Sequence, residues 1–278
     1  MVNKSRLITG ISGVRGIIDK TLDSEVIKRF VMAFAGFLPE NARVILARDT
    51  RPSGKLFSKV AERSLIEAGC EVYNLGCCPT PTAKLMTCKL QGDGAIIITA
   101  SHNPAEWNGM KFVRSDGVFL NDSENRFLMD LFKKNISFQK SGGQVFNISI
   151  ADVKNEHISR ILTEIEVTDL RTPKTKVTVD FCNGTGSIIV KDLFRKVGIE
   201  AHYMNDEPNG HFAHDPEPIP SNLQDLGNEV RKNNSAIGFA IDPDGDRVTL
   251  VDSTGSPVGE DKTLAIAVDS FTQQKRGP

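Results

Sequence analysis

Aromatic side chains are scarce in this sequence, at 6% of its residues, too few to build the stacking platforms on which single-stranded nucleic acids are held. An excess of either charge is lacking as well. With 34 Lys and Arg against 35 Asp and Glu, no overall field draws the chain to nucleic acid or to an acidic membrane, so any anion must be held by a local site. Long hydrophobic runs are missing too: the longest, around Ala95–Thr99, is far too short to span a bilayer. The opening MVNKSRLITGISGVRG has no apolar core of a signal peptide, and a cytoplasmic location is expected. The cysteines are Cys70, Cys77, Cys78, Cys88 and Cys182, an odd set with no C-x-x-C pair and no matching His spacing. They read as free thiols.

What is present is the composition of a soluble globular chain, 39% apolar and 25% charged, with room in 278 residues for two α/β units of ordinary size. Val44–Ala47 reads as a buried strand, Leu56–Glu67 as an amphipathic helix stopped at Gly69, and Glu71–Leu75 as a second strand. The same plan returns with a strand at Lys176–Phe181, an NGTG turn, a helix at Ser187–Lys196 ended by Gly198, and a strand at Ile199–Tyr203. AGCEVYNL and VGIEAHYM even align. The repeat predicts two similar α/β domains with mixed, mainly parallel sheets flanked by helices.

The polar stretch KKNISFQKSGGQVFNIS suggests a boundary near 148, hence a first domain over 1–148 and a second over 149–256. The hairpin-like RVTLVDSTGSPVG then leads into GEDKTLAIAVDSFTQQ, whose apolar positions fit one helix. That segment, 257–278, is expected to start a third domain.

Two loops carry the chemistry. Ala95–Thr99 reads as a strand buried on both faces, and its carboxyl end, where ligands bind in open α/β sheets, presents Ser101 in TASHNP. Pro104 stiffens the turn and biases Asn103 toward extended geometry. No G-x-S-x-G elbow surrounds this serine and no P-loop occurs, so neither a serine hydrolase nor a P-loop enzyme has its scaffold.

The second loop, DPDGDR after the strand Ala236–Ile241, sets Asp242, Asp244 and Asp246 at every second residue of a turn shaped by Pro243 and Gly245. Three carboxylates so spaced can converge on one hard divalent cation, Mg²⁺ being the candidate beside phosphate; without a cation they would raise one another's pKa. An EF-hand is excluded by Arg247 and Ser253 at its required Gly and Glu positions. An Asp-rich surface turn is the plain alternative. Arg247 beside the run suits a phosphoryl group.

Other landmarks carry less. NGTGSI imitates a dinucleotide fingerprint but has Ile189 at the third glycine. His211 and His214 could be imagined as a metal pair, yet the prolines at 208, 216, 218 and 220 make a stiffened loop the better reading. Arg48 and Arg51 of ARDTRPSG could bind anions or equally pair with Asp49 or serve an interface.

Taken together and in order, SGVRG, ARDTRPSG, TASHNP, NGMK and DPDGDR resemble the α-D-phosphohexomutase family over its first two domains. The resemblance implies interconversion of hexose 1- and 6-phosphates through a phosphoserine at Ser101 and a hexose 1,6-bisphosphate intermediate. It implies Mg²⁺ held by Asp242, Asp244, Asp246 and a phosphoserine oxygen. Arg15, His102 and Lys111 match family positions around the reacting phosphoryl, Lys111 with Arg15 assisting deprotonation of the sugar hydroxyl, and Arg247 would face the same site. Expected partners are small-molecule sugar phosphates, with no nucleic acid and no membrane.

The SGVRG opening favours phosphoglucosamine mutase, with phosphomannomutase/phosphoglucomutase as the alternative. The family's sugar-selecting and phosphate-gripping loops lie in third and fourth domains, so the 278 residues are expected to be a fragment with little or no turnover. The non-enzyme alternative is a module retaining phosphosugar and Mg²⁺ contacts.

Overall fold

The computed structural model describes residues 7–164 and 175–274; the first residues of the N-terminal stretch and the final KRGP lie outside that range. The first unit runs β1 (Ile8–Gly10), β2 (Gly13–Ile17), α1 (Ser24–Phe37), β3 (Arg43–Arg48), α2 (Gly54–Glu67), β4 (Glu71–Cys77), α3 (Thr80–Lys89), β5 (Gly94–Ile98), β6 (Trp107–Arg114), α4 (Asp122–Lys133) and β7 (Gln144–Asn147). Its seven strands form one sheet in the order β1-β2-β6-β5-β3-β4-β7. From β5 through β3 and β4 to β7 neighbours run parallel, while β5-β6, β6-β2 and β2-β1 are antiparallel.

Both faces are covered, which is why β5 could be apolar throughout. On one face Phe30 and Phe34 of α1 pack with Phe112 of β6. This helix starts at Asp23, whose side chain accepts from the Val26 N–H. On the other face Ile45, Ala47 and Ile97 pack with Ala83 and Met86 of α3 and with Val153 of the next helix, α5 (Ile150–Glu164).

The second unit continues through β8 (Lys176–Asp180), α6 (Gly186–Val197), β9 (Glu200–Met204), a 3₁₀ turn at Pro220–Asn222, α7 (Gln224–Lys232), β10 (Ile237–Ile241), β11 (Val248–Asp252) and α8 (Glu260–Gln274). Its sheet order is β11-β10-β8-β9, with β10, β8 and β9 parallel and β11 antiparallel to β10 across the DPDGDR turn. The expected strand–helix–strand repeat is β3-α2-β4 in the first unit and β8-α6-β9 in the second. Gly198 ends α6 in the left-handed region, at φ 78°, where a β-carbon would be strained. Helix α5 packs against α3 of the first unit and α6 of the second. No helix among the described residues is long and apolar enough to cross a membrane.

The units meet at the carboxyl ends of β4 and β10, where the Thr80 N–H at the start of α3 donates to the Asp244 carbonyl at 2.8 Å. A second contact is made by backbone. A β-carbon on Gly210 would come within 2.3 Å of the Thr50 carbonyl, so the 209–214 loop of the second unit lies directly on the ARDTRPSG loop of the first.

Candidate functional site

Ser101 follows β5 by three residues and is buried, with backbone in the left-handed region at φ 53°. Its Oγ donates to Asp242 Oδ2 at 3.0 Å, so the two loops singled out by the sequence close on one another across the two units. The other oxygen of Asp242 accepts from the Asp246 and Arg247 N–H groups at 3.1 and 3.0 Å, which folds the DPDGDR turn around that carboxylate.

The NGTG turn has a part in this. The Thr185 N–H and hydroxyl both donate to the Pro243 carbonyl, and a β-carbon on Gly184 would lie 2.6 Å from the Pro243 Cα. These glycines serve close packing behind the carboxylate loop.

Lys111 sits within β6, opposite Ile97 of β5, and is buried rather than solvated. Its Nζ donates to Asp244 Oδ2 and Asp246 Oδ2, each at 2.6 Å. The next strand outward, β2, pairs Arg15 with Gly109. A β-carbon on Gly109 would meet the Val14 carbonyl at 2.2 Å, so glycine here lets the two strands close and brings Arg15 beside the serine loop. Arg15 Nη1 donates to Asn103 Oδ1 at 3.0 Å.

The electrostatics follow from crowding charges where water is excluded. Asp242 is pushed well above the usual carboxylate range by burial first and then by Asp244 and Asp246. Burial acts on Asp244 in the same direction, but the Lys111 ammonium and the hydrogen bonds from Lys111 and Thr80 outweigh it and hold this carboxyl below its ordinary value. Lys111 is raised: Asp244 and Asp246 overcome the effect of its burial, and the side chain is a firm cation. His102 is pushed down to about 4 by burial and by the positive charges of Arg247 and Arg15, so its imidazole is neutral near pH 7. Its Nδ1 is buried without a hydrogen-bond partner.

Arg247 is within electrostatic reach of His102 and Arg15, and its guanidinium also lies 3.6 Å from Glu260 of α8.

Asp242, Asp244 and Asp246 offer carboxylate oxygens that all lie within 4.8 Å of one another, the only such His/Cys/Asp/Glu group among the described residues. Asp244 Oδ1 is buried with no hydrogen-bond partner. A buried, unpartnered carboxylate oxygen within a set of hard oxygen donors suits a divalent cation.

Sequence reasoning missed Thr80, whose hydroxyl donates to Asp244 Oδ2 at 2.6 Å from the first turn of α3. The available signal was the CPTPT run, with Pro81 suited to the start of a helix. It also left open the role of Arg51, which pairs with Asp49 in a fully buried bridge. His211 and His214 do not form a metal pair: His214 Nε2 lies 3.0 Å from Asp180 Oδ2 and its Nδ1 2.8 Å from the Asp215 carbonyl.

With both nitrogens so engaged, His214 is pushed up to about 11, chiefly by the Asp180 hydrogen bond. Its folded value lies above the ordinary 6.5, so its stabilisation is complete below pH 6.5 and is lost as pH rises through about 11. Allowing for partial exposure, His214→Gln should therefore cost about 1–2 kcal/mol at pH 6. Thermal melts across pH should show the gap from the parent chain narrowing toward pH 10.

A family model described as phosphoglucomutase/phosphomannomutase, alpha/beta/alpha domain I, matches residues 6–139, and its domain II counterpart matches 155–255. A protein of Thermococcus kodakarensis named phosphoglucomutase/phosphomannomutase is 31% identical over 273 residues, covering 96% of this chain and 60% of that relative. One of Sulfurisphaera tokodaii named phosphoglucosamine/phosphogalactosamine mutase is 31% identical over 254 residues, covering 88% and 55%. Among solved structures, a phosphoglucomutase/phosphomannomutase family protein from Burkholderia thailandensis superposes with a TM-score of 0.82 at 27% identity, covering 97% of this chain and 61% of that one. The chain thus spans 55 to 60% of the length of these curated relatives.

Proposed function

Since the chain belongs to the phosphoglucomutase/phosphomannomutase family, we propose that it carries the phosphoserine and metal-binding part of a phosphohexomutase that interconverts hexose 1- and 6-phosphates. The observation that carries this reading is the 3.0 Å contact between Ser101 Oγ and Asp242, which joins a phosphorylatable hydroxyl to the carboxylate cluster. Asp242, Asp244 and Asp246 would hold Mg²⁺ together with an oxygen of the phosphorylated Ser101. Such an ion supplies positive charge to the phosphoryl oxygens as they gain charge in transfer.

In the forward half-reaction a sugar hydroxyl oxygen bonds to phosphorus, the bond from phosphorus to Ser101 Oγ breaks, and the sugar monophosphate becomes a 1,6-bisphosphate. The hydroxyl gives up one proton and Ser101 Oγ regains one. The reverse transfer returns the other phosphoryl group to Ser101. Lys111 and Arg15 assist deprotonation by stabilising the developing negative charge, since both are cations. His102, neutral near pH 7, matches a family position around the reacting phosphoryl group. Arg247 binds the phosphoryl or substrate phosphate from the second unit.

A hexosamine phosphate is the proposed substrate, in keeping with the name of the Sulfurisphaera relative, and a mannose or glucose phosphate is the alternative in keeping with the Thermococcus one. On these 278 residues the step to test is phosphoryl exchange, with little or no sustained mutase turnover expected. Incubation with glucose 1,6-bisphosphate and Mg²⁺ should place one phosphoryl group on Ser101, read by intact mass and peptide mapping. The choice among glucosamine, mannose and glucose monophosphates is tested by a rate comparison on the full-length enzyme, because the family's sugar-selecting loop lies in its third domain. A chain that takes up no phosphoryl group, or takes it up elsewhere, overturns the reading.

A further inference from the structure

Ser101 is held in left-handed backbone, at φ 53°, a conformation unfavourable to any residue with a β-carbon. Something must hold it there. A guanidinium has five N–H donors in a rigid fork, and in Arg51 every one is used. Nε reaches Asp49 Oδ2 at 3.1 Å; Nη1 reaches the carbonyls of Pro104 and Trp107 at 2.7 and 2.9 Å; Nη2 reaches those of Ser101 and Asn103 at 2.8 and 2.5 Å. Asp49 Oδ2 also accepts the Thr99 hydroxyl at 2.7 Å, and that hydroxyl accepts the Ser101 N–H at 2.8 Å. The amide and carbonyl of Ser101 therefore both end on one ion pair.

That pair is fully buried, and the second unit helps to bury it. The Phe212 ring centroid lies 4.8 Å from the Arg51 guanidinium carbon. The loop that carries Phe212 is seated by Gly210 against the Thr50 carbonyl and anchored by His214 on Asp180. A buried ion pair is favourable only when further hydrogen bonds satisfy it, and a cation over an aromatic face gains most when water is excluded.

Resting on the mutase reading, we propose that Arg51 is the positioning residue of the serine loop and that Phe212 completes it, so that docking of the 209–214 loop sets how firmly Ser101 is presented. Arg51 touches carbonyls, not phosphate. It should therefore govern the rate of transfer and the rigidity of the loop, and leave affinity for the phosphosugar alone. Lysine in its place keeps the charge but offers three donors from a single atom, which cannot reach four carbonyls and Asp49.

The test uses the 278-residue chain with Arg51→Lys, Phe212→Leu and Phe212→Tyr, and two readouts: phosphoryl uptake from glucose 1,6-bisphosphate, and hydrogen exchange at the amides of 101–107. Arg51→Lys should lower the maximal uptake rate about 100-fold, as expected for a misplaced nucleophile, with the half-saturating bisphosphate concentration within about 2-fold of the parent. Phe212→Leu should lower it about 10-fold, and Phe212→Tyr, which keeps the aromatic face, should restore it. Exchange at 101–107 should quicken in Arg51→Lys and Phe212→Leu.

Unchanged exchange with unchanged uptake in folded variants overturns the proposal, as does a loss confined to bisphosphate affinity. Should Arg51→Lys fail to fold, the contrast between Leu and Tyr at 212 decides. Should the parent chain take up no phosphoryl group while exchange still quickens in the variants, the mutase reading fails and the positioning of the loop stands.

Discussion

Ser101→Ala takes up no phosphoryl group from glucose 1,6-bisphosphate, while the parent chain takes up one. The expectation follows from the surroundings of Oγ, which is buried at the meeting of the two units and aimed at Asp242. A substitute nucleophile would have to come from a side chain equally placed, and the other hydroxyl that donates to the carboxylate cluster, that of Thr80, starts helix α3 rather than standing on the serine loop. Thr80 is committed to Asp244, and Thr99 to Asp49 and the Ser101 amide. Loss of a nucleophile removes the covalent route rather than weakening it, so the rate should fall by about 10⁴-fold or more.

The cost to stability is much smaller. Alanine loses one hydrogen bond and leaves Asp242 Oδ2 without its donor, a change of about 1–2 kcal/mol. Intact mass spectrometry with a parallel thermal melt separates the two effects. A phosphoryl group on the variant at the parent's rate would remove Ser101 from the chemistry.

The legible parts of this site were those whose chemistry is written in neighbouring residues. Alternate aspartates around Pro243 and Gly245 bring three carboxylates together through local geometry alone, and Ser101 stands at the end of a strand too apolar to lie anywhere but inside a sheet. The repeated strand–helix–strand units were likewise set by short-range periodicity.

What stayed hidden depends on contacts distant in sequence or made to backbone. Arg51 binds four carbonyl oxygens of a loop about fifty residues away, and every residue has a carbonyl, so no side-chain pattern marks those acceptors. Lys111 was reached only through the resemblance of NGMK, because its burial depends on β6 lying between β5 and β2, an antiparallel insertion that periodicity does not specify. NGTG looked like a defective nucleotide loop because glycine serves any close approach of backbone, here that of Pro243.

Asp244→Asn should weaken Mg²⁺ binding by about 100-fold or more, judged against the 10–100-fold typical for losing a group that merely supports a ligand. Asp244 is the most deeply committed of the three carboxylates. Its Oδ2 accepts from Lys111 and Thr80, and its Oδ1 is the buried oxygen without a partner. Asparagine preserves the shape but removes the charge, and its amide can satisfy only one side of that arrangement. If its oxygen faces Lys111 and Thr80, an N–H₂ group points toward the cation; if it is flipped, N–H groups oppose the ammonium of Lys111.

Either way the hard-oxygen site loses a donor or gains a repulsion, and Lys111 is left to pair with Asp246 alone. Calorimetric titration with Mg²⁺ on the unphosphorylated chain measures this without reference to activity, and a thermal melt in the absence of Mg²⁺ checks that the fold survives. Equal affinity in the variant and the parent would place the ion on other ligands, and the carboxylate cluster would then be a counter-charge for Lys111 rather than a metal centre.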